Sequence, residues 1–186
     1  LKVLCEFENG GAFGRKELGG SEVKILRISE ISKLKGTKGV YTLIIFVSSA
    51  VILKIGRLGE RKLERGYYAY TGSALGNGSA SLASRISRHL RKSKRRRWHI
   101  DYLLQSEDVK IKAVLAMITE RRMECEINQH LMSKLKADIP IFNFGSSDCK
   151  MKCGSHLLYL GLDNNLVSKI VELYLQKRDC LLYTSP

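Results

Sequence analysis

Gly39–Val47 reads GVYTLIIFV, a run of β-branched and aromatic residues almost unbroken in apolarity. Such side chains fit a pleated surface, and a run apolar on both faces belongs in the middle of a sheet. Outward from it, Ser48-Ser49-Ala50 makes a turn, and Val51–Leu58 follows with Val51, Leu53 and Ile55 on one face at a strand's period of two. Strands joined so tightly are expected to pair as an antiparallel hairpin, ending or bulging at Gly56 and Gly59. Gly66–Gly72 (GYYAYTG) is a short aromatic extended segment that runs into a glycine-rich loop, Ser73–Ser79.

Further along, Leu82, Ile86 and Leu90 recur every four residues and define an amphipathic helix over Ser79–Lys92. Val109–Ile118 alternates as a third strand. Thr119–Leu135 carries Met123, Ile127, Leu131 and Leu135 in one helical stripe. His156–Leu160 reads as a short late strand, and Asn165–Lys177 as a terminal helix capped by Asn164 or Asn165. The expected class is α+β, with a small, mostly antiparallel, three-stranded central sheet flanked by helices. Residues 1–35 stand apart as an N-terminal extension. Asn9–Gly20 holds five glycines and reads as loop, while Ser21–Lys35 follows neither period cleanly. Residues 36–162 form the expected domain, and residues 163–186 a C-terminal helix and tail.

Apolar residues make up 44% and charged residues 27% of the 186, an ordinary globular composition with no window long enough to span a bilayer. The chain therefore reads as soluble and cytoplasmic. It opens on Leu1 rather than Met, consistent with a piece of a longer frame. Thirty-two Lys and Arg against 18 Asp and Glu give +14, a balance that draws polyanions. The excess is concentrated. Arg85, Arg88, Arg91, Lys92, Lys94, Arg95, Arg96 and Arg97 follow one another with no acid between them. Arginine's planar fork suits phosphate oxygens, and Trp98 and His99 add a stacking face directly after the run. A nuclear-targeting signal is the rival reading. The run's position between two patterned elements favours a binding surface, with DNA as the expected partner and RNA not separated from it.

Phosphodiester hydrolysis needs a divalent metal on hard oxygen, a cation beside the developing charge and a base for water. Arg85 and His89 lie one turn apart and are expected on the helix face away from the Leu82/Ile86/Leu90 stripe. Glu126 lies next to the stripe of the later helix. Taken singly, Tyr41 and Tyr70 read as sheet packing, and Arg85, His89 and Glu126 as solvated helix residues. Their order is what singles them out.

Lys38-Gly39-Val40-Tyr41, followed after the expected hairpin by Tyr70-Thr71-Gly72, resembles the two tripeptides that name the GIY-YIG nucleases. Arg85, with His89 a turn on, matches the family's helical arginine. Glu126 is the best match to its acidic metal ligand, with Glu124 the fallback. Tyr68–Leu75, Arg85–Leu90, Trp98–Leu104 and Gly145–Leu157 are similar to one branch, the Uri-like endonuclease domain of archaea and some bacteria, which sometimes occurs fused to a DNA-repair glycosylase. Val40 and Thr71 depart from the family's usual Ile, as β-branched substitutes. The resemblance spans about Lys38 to Leu160. It implies a metal-dependent DNA endonuclease of repair, recombination or defence: Glu126 holding Mg²⁺ or Mn²⁺, Arg85 steadying the phosphate, Tyr41 or His89 as base, and Tyr70 assisting. A DNA-repair glycosylase is an expected associate.

Two other readings stay open: a nucleic-acid-binding module that does not cut, and a zinc-bearing accessory partner of a repair enzyme. The second rests on Cys149, Cys153 and His156, a C-x₃-C-x₂-H cluster to which His99 or His130 would add a fourth zinc ligand. Five cysteines is an odd number, which argues against a full disulfide framework. Trp98 reads equally as core, and Asp101 as a group that orients its neighbours or meets DNA.

Overall fold

The computed structural model describes residues 2–5, 16–18, 21–163 and 165–182. At its centre is β4 (Gly39–Val47), paired antiparallel along its length with β7 (Gly66–Ala74) on one edge and β8 (Val109–Ile118) on the other. Its side chains alternate between two cores: Tyr41, Leu43, Ile45 and Val47 enter one, Val40 and Ile44 the other. Burial on both faces is what the unbroken apolar run demands. On the second face Thr42 and Thr71 share a hydrogen bond of 2.9 Å, and the Tyr174 hydroxyl meets Thr42. The polar atoms of this buried strand pair are thereby satisfied.

The sheet is wider than the three strands expected. Beyond β7 lies β9 (Leu157–Gly161). Beyond β8 lie β1 (Lys2–Cys5), β3 (Ser21–Arg27) and β2 (Lys16–Leu18), giving the order β2-β3-β1-β8-β4-β7-β9. Every pairing described in it is antiparallel except β1 with β3. The class is α+β, and the stretch set apart as residues 1–35 contributes strands to the central sheet. Of the loop expected over residues 9–20, residues 9–15, 19 and 20 lie outside the described residues; so does Asn164, one of the two caps expected for the last helix.

The expected hairpin between residues 39–47 and 51–58 does not form. Both edges of β4 are already taken by β7 and β8, so β5 (Val51–Lys54) has no edge to join. It pairs instead with β6 (Glu60–Leu63) in a separate two-stranded sheet. A two-residue alternation and a tight turn cannot reveal which neighbour holds the better ladder.

Helices cover both faces. Leu82 and Ile86 of α1 (Leu82–Leu90), with Ile100, Leu103 and Leu104 of α2 (His99–Leu104), enter the core that holds Tyr41. Ile127 and Leu131 of α3 (Glu124–Leu135), with Ile170, Leu173 and Tyr174 of α4 (Leu166–Leu182), enter the other. Among the described residues, no helix is long and apolar enough to cross a membrane.

Close approach at the start of β4 fixes one glycine. A Cβ on Gly39 would lie 2.2 Å from the Met117 carbonyl oxygen of β8, a backbone atom that cannot move aside without breaking the ladder. Gly39→Ala is expected to destabilise the fold by about 3 kcal/mol or more, against about 1 kcal/mol for Gly36→Ala, where a left-handed φ is the sole obstacle. Urea unfolding of the two variants checks this; equal losses would contradict the close packing of β4 on β8.

Candidate active site

The β4–β7 register sets Tyr41 opposite Gly72 and Leu43 opposite Tyr70. Since side chains alternate, both tyrosines project on the α1 face, two residue pairs apart. Gly72 is needed for this: a Cβ there would lie 2.7 Å from the Tyr41 hydroxyl. That hydroxyl is 2.8 Å from His89 Nε2, and the Tyr70 ring meets the His89 ring edge-on at 6.2 Å. His89 is only 2% exposed. It does not project away from the apolar stripe of α1 as expected, because position 89 falls three residues after Ile86 and shares its face.

The tyrosines open on a cleft of about 420 Å³, also lined by Arg85, Arg97, Trp98, His99, Glu124, Asp148 and His156. Burial raises the Tyr41 phenol to about 12, although Arg85 pulls it back down in part. Burial likewise pushes Tyr70 up. Burial, reinforced by the Lys94 ammonium, drives the His89 imidazolium down to about 3. At neutral pH the pair is therefore a neutral phenol hydrogen-bonded to a neutral imidazole. Two cleft-lining groups of opposite charge have polar atoms that are buried without a hydrogen-bond partner: Arg85 Nε and Glu124 Oε2. Arg85 lies 5.2 Å over the Trp98 ring, which fixes its plane.

Of the two acids at the start of α3, Glu124 lines the cleft and Glu126 does not. The helix begins at Glu124, five residues later than its apolar pattern suggests. Glu124, Ile127, Asn128 and Leu131 are all buried, so Glu124 lies on the inward stripe, one turn before Ile127. The signal was in the sequence: an acid three residues before a core isoleucine.

The basic run divides. Arg88 grips the fully enclosed Asp101 with two hydrogen bonds of 2.6 and 2.9 Å, and its guanidinium stacks 4.4 Å over Trp98. Burial raises the Asp101 carboxyl, but Arg88 and the N–H groups of Arg97 and Trp98 outweigh that and hold it below the usual range. Lys92 donates to the carbonyls of Ser106 and Val109, and Lys94 to that of His89. Arg88, Lys92 and Lys94, expected on the nucleic-acid surface, thus each bind oxygens of the protein itself, Lys92 from an exposed position. Arg91, Arg95, Arg96 and Arg97 are exposed, and Arg97 reaches the cleft. Trp98 is half-buried between two arginines, neither plain core nor free platform.

Cys149, Cys153 and His156 do come together, and the fourth member is Cys125 rather than His99 or His130. The three thiols and the imidazole all lie within 4.8 Å of one another, a group that can hold a metal ion. His99 is turned elsewhere: its Nδ1 accepts the Gly145 N–H at 3.2 Å and its ring packs on Phe144. Cys125 escaped the sequence reading because it lies 24 residues before Cys149, on a helix. Cys5 and Cys180 have no described side chains.

A family described as a domain of unknown function, DUF123, matches residues 40–178, well over half of the chain. The chain belongs to that family. No curated protein and no solved structure matches it. The DUF123 match begins one residue into β4 and ends within α4, so it takes in every residue of the cleft.

The buried neutral His89 has a consequence for stability. Its folded pKa lies below its unfolded one, so the unfolded chain binds the extra proton as pH falls from about 6.5 toward 3, and stability falls with it. Between about pH 7.5 and about pH 5 this single group costs about 2 kcal/mol. Denaturant melts at the two pH values should show that share of the slope vanish in His89→Gln. An unchanged slope would mean that His89 titrates normally and is not sealed against Tyr41.

Proposed function

We propose that this DUF123 chain is a metal-dependent endonuclease that hydrolyses phosphodiester bonds in DNA. The observation that carries the reading is a pair of buried atoms without a hydrogen-bond partner in one cleft, Nε of the cation Arg85 and Oε2 of the carboxylate Glu124, beside the Tyr41–His89 pair. Each group keeps one partner, Glu124 Oε1 facing Arg122 Nε at 3.8 Å and Arg85 interacting with Tyr41, but the two buried atoms left over suit a ligand that supplies both an acceptor and a cation. A backbone phosphate accompanied by a divalent cation does so.

Glu124 fits the metal, since it lines the cleft and its buried Oε2 has no hydrogen-bond partner, its other oxygen facing Arg122 Nε at 3.8 Å. A Mg²⁺ or Mn²⁺ ion held there by Glu124 would neutralise charge at the phosphate and make nearby water more acidic. Arg85 donates to the phosphate oxygens as negative charge builds on them, its plane held by Trp98. Tyr41 takes the proton of the attacking water and passes its own to His89 Nε2, 2.8 Å away. With the phenol raised to about 12 and the imidazolium driven down to about 3, this transfer is uphill in the empty cleft, so Arg85 and a cation at Glu124 would have to acidify the water and phenol for the relay to run. Tyr70, with its raised phenol, remains protonated and orients water or phosphate. Arg91, Arg95, Arg96 and Arg97 lead from the cleft along the surface as a track for neighbouring phosphates.

The test is cleavage of labelled duplex, single-stranded and branched DNA with Mg²⁺ or Mn²⁺, with binding measured in parallel. Arg85→Ala is expected to lose roughly 10²–10³-fold in rate and Tyr41→Phe roughly 10²–10⁴-fold, both still binding DNA. Glu124→Gln should abolish cutting while Glu126→Gln keeps it. Wild-type protein that binds DNA yet cuts none with either metal would overturn the proposal in favour of a binding module.

A further inference from the structure

We propose that Cys125, Cys149, Cys153 and His156 together hold one structural Zn²⁺ ion at the edge of the cleft. Three separate pieces of chain converge to make the group. Cys125 stands in the first turn of α3, Cys149 and Cys153 on the loop between α3 and β9, and His156 directly before β9. Cys125 Sγ lies 3.3 Å from Cys149 Sγ and 3.7 Å from His156 Nε2, and Cys149 Sγ lies 3.4 Å from Cys153 Sγ. Ligands arranged tetrahedrally about 2.3 Å from a zinc ion stand about 3.8 Å apart, so a small outward adjustment accommodates the ion. Three sulfurs and one imidazole nitrogen form a soft donor set that suits zinc and not Mg²⁺ or Ca²⁺. With four protein ligands, tetrahedral zinc has no open position for substrate, which makes the site structural rather than catalytic.

A disulfide accounts for the cluster less well. It would join two of three mutually close thiols and leave the third thiol and the imidazole gathered for no purpose. The surroundings also support the ligands. Gln129 Nε2 is 3.9 Å from Cys153 Sγ, and the Thr71 N–H donates to the His156 carbonyl at 3.0 Å, tying the cluster to β7. Such supporting contacts orient metal ligands. Glu124 immediately precedes Cys125 and Asp148 immediately precedes Cys149, and both acids line the cleft. An ion that cross-links the start of α3 to the α3–β9 loop therefore fixes two carboxylates of the candidate active site in place.

The site stands on its own geometry and is tested without reference to cleavage. The full chain, purified under reducing conditions without chelator, is expected to carry about one zinc per chain by mass spectrometry of the metals. Cys149→Ser should lower zinc affinity roughly 10–100-fold, whereas His156→Cys, which keeps a ligand at the position, should retain the metal. Stripping wild type with a chelator should lower its melting temperature, with Zn²⁺ and not Mg²⁺ restoring it. Co²⁺ in its place should give the thiolate charge-transfer and tetrahedral d–d bands. If Cys149→Ser does not fold, the His156→Cys variant and the reversible stripping decide. Protein that lacks zinc and takes up none when Zn²⁺ is returned overturns the proposal.

Discussion

The ladder between β4 and β7 holds the cleft together. Each strand alone presents tyrosines that could belong to any sheet. Paired in this register, they bring Tyr41 and Tyr70 to one face, with Gly72 leaving room for the Tyr41 ring. The β8 ladder on the opposite edge locks the register, because slipping β4 by one residue would turn Tyr41 and Leu43 into the core of Val40 and Ile44. A rigid sheet of this kind lets α1 deliver Arg85 and His89, and α3 deliver Glu124, to fixed points around the tyrosines.

Electrostatics around the cleft follow a division of labour. Tyr41 and His89 are kept neutral by burial, and their hydrogen bond joins β4 to α1 at the cleft. Arg88 and Asp101 neutralise each other at the base of α2 and hold Trp98 in place for Arg85. Arg85 and Glu124 are left with unsatisfied atoms facing the cleft, a costly state that a ligand of mixed charge would relieve. On the proposed reading that ligand is a phosphate with its cation, and the exposed arginines of residues 91–97 extend the contact along the nucleic acid.

Much of this was legible in the residues. The apolar run at 39–47, the alternation at 109–118 and the stripe at 82, 86 and 90 each correspond to an element, because burial fixes period. Partner choice was not legible: nothing in residues 51–58 reports that β4 has no edge left, so β5 was paired with the wrong strand. Helix phase near a terminus failed in the same way, which put Glu126 ahead of Glu124 and left His89 on the wrong face. The basic run could be counted but not sorted. Whether Arg88 meets DNA or Asp101 depends on an acid 13 residues away that only the fold brings close. Cys125 was missed for the same reason.

An anomalous-difference map at the manganese edge, from crystals of the wild-type chain soaked in Mn²⁺, tests the site most directly. A peak within coordination distance of a Glu124 carboxylate oxygen, about 2.1–2.6 Å, with Arg85 and Tyr41 facing it across the cleft, is the predicted result. Manganese bound at Glu126 or elsewhere on the surface, with none against Glu124, would contradict the account of what the cleft is built to hold.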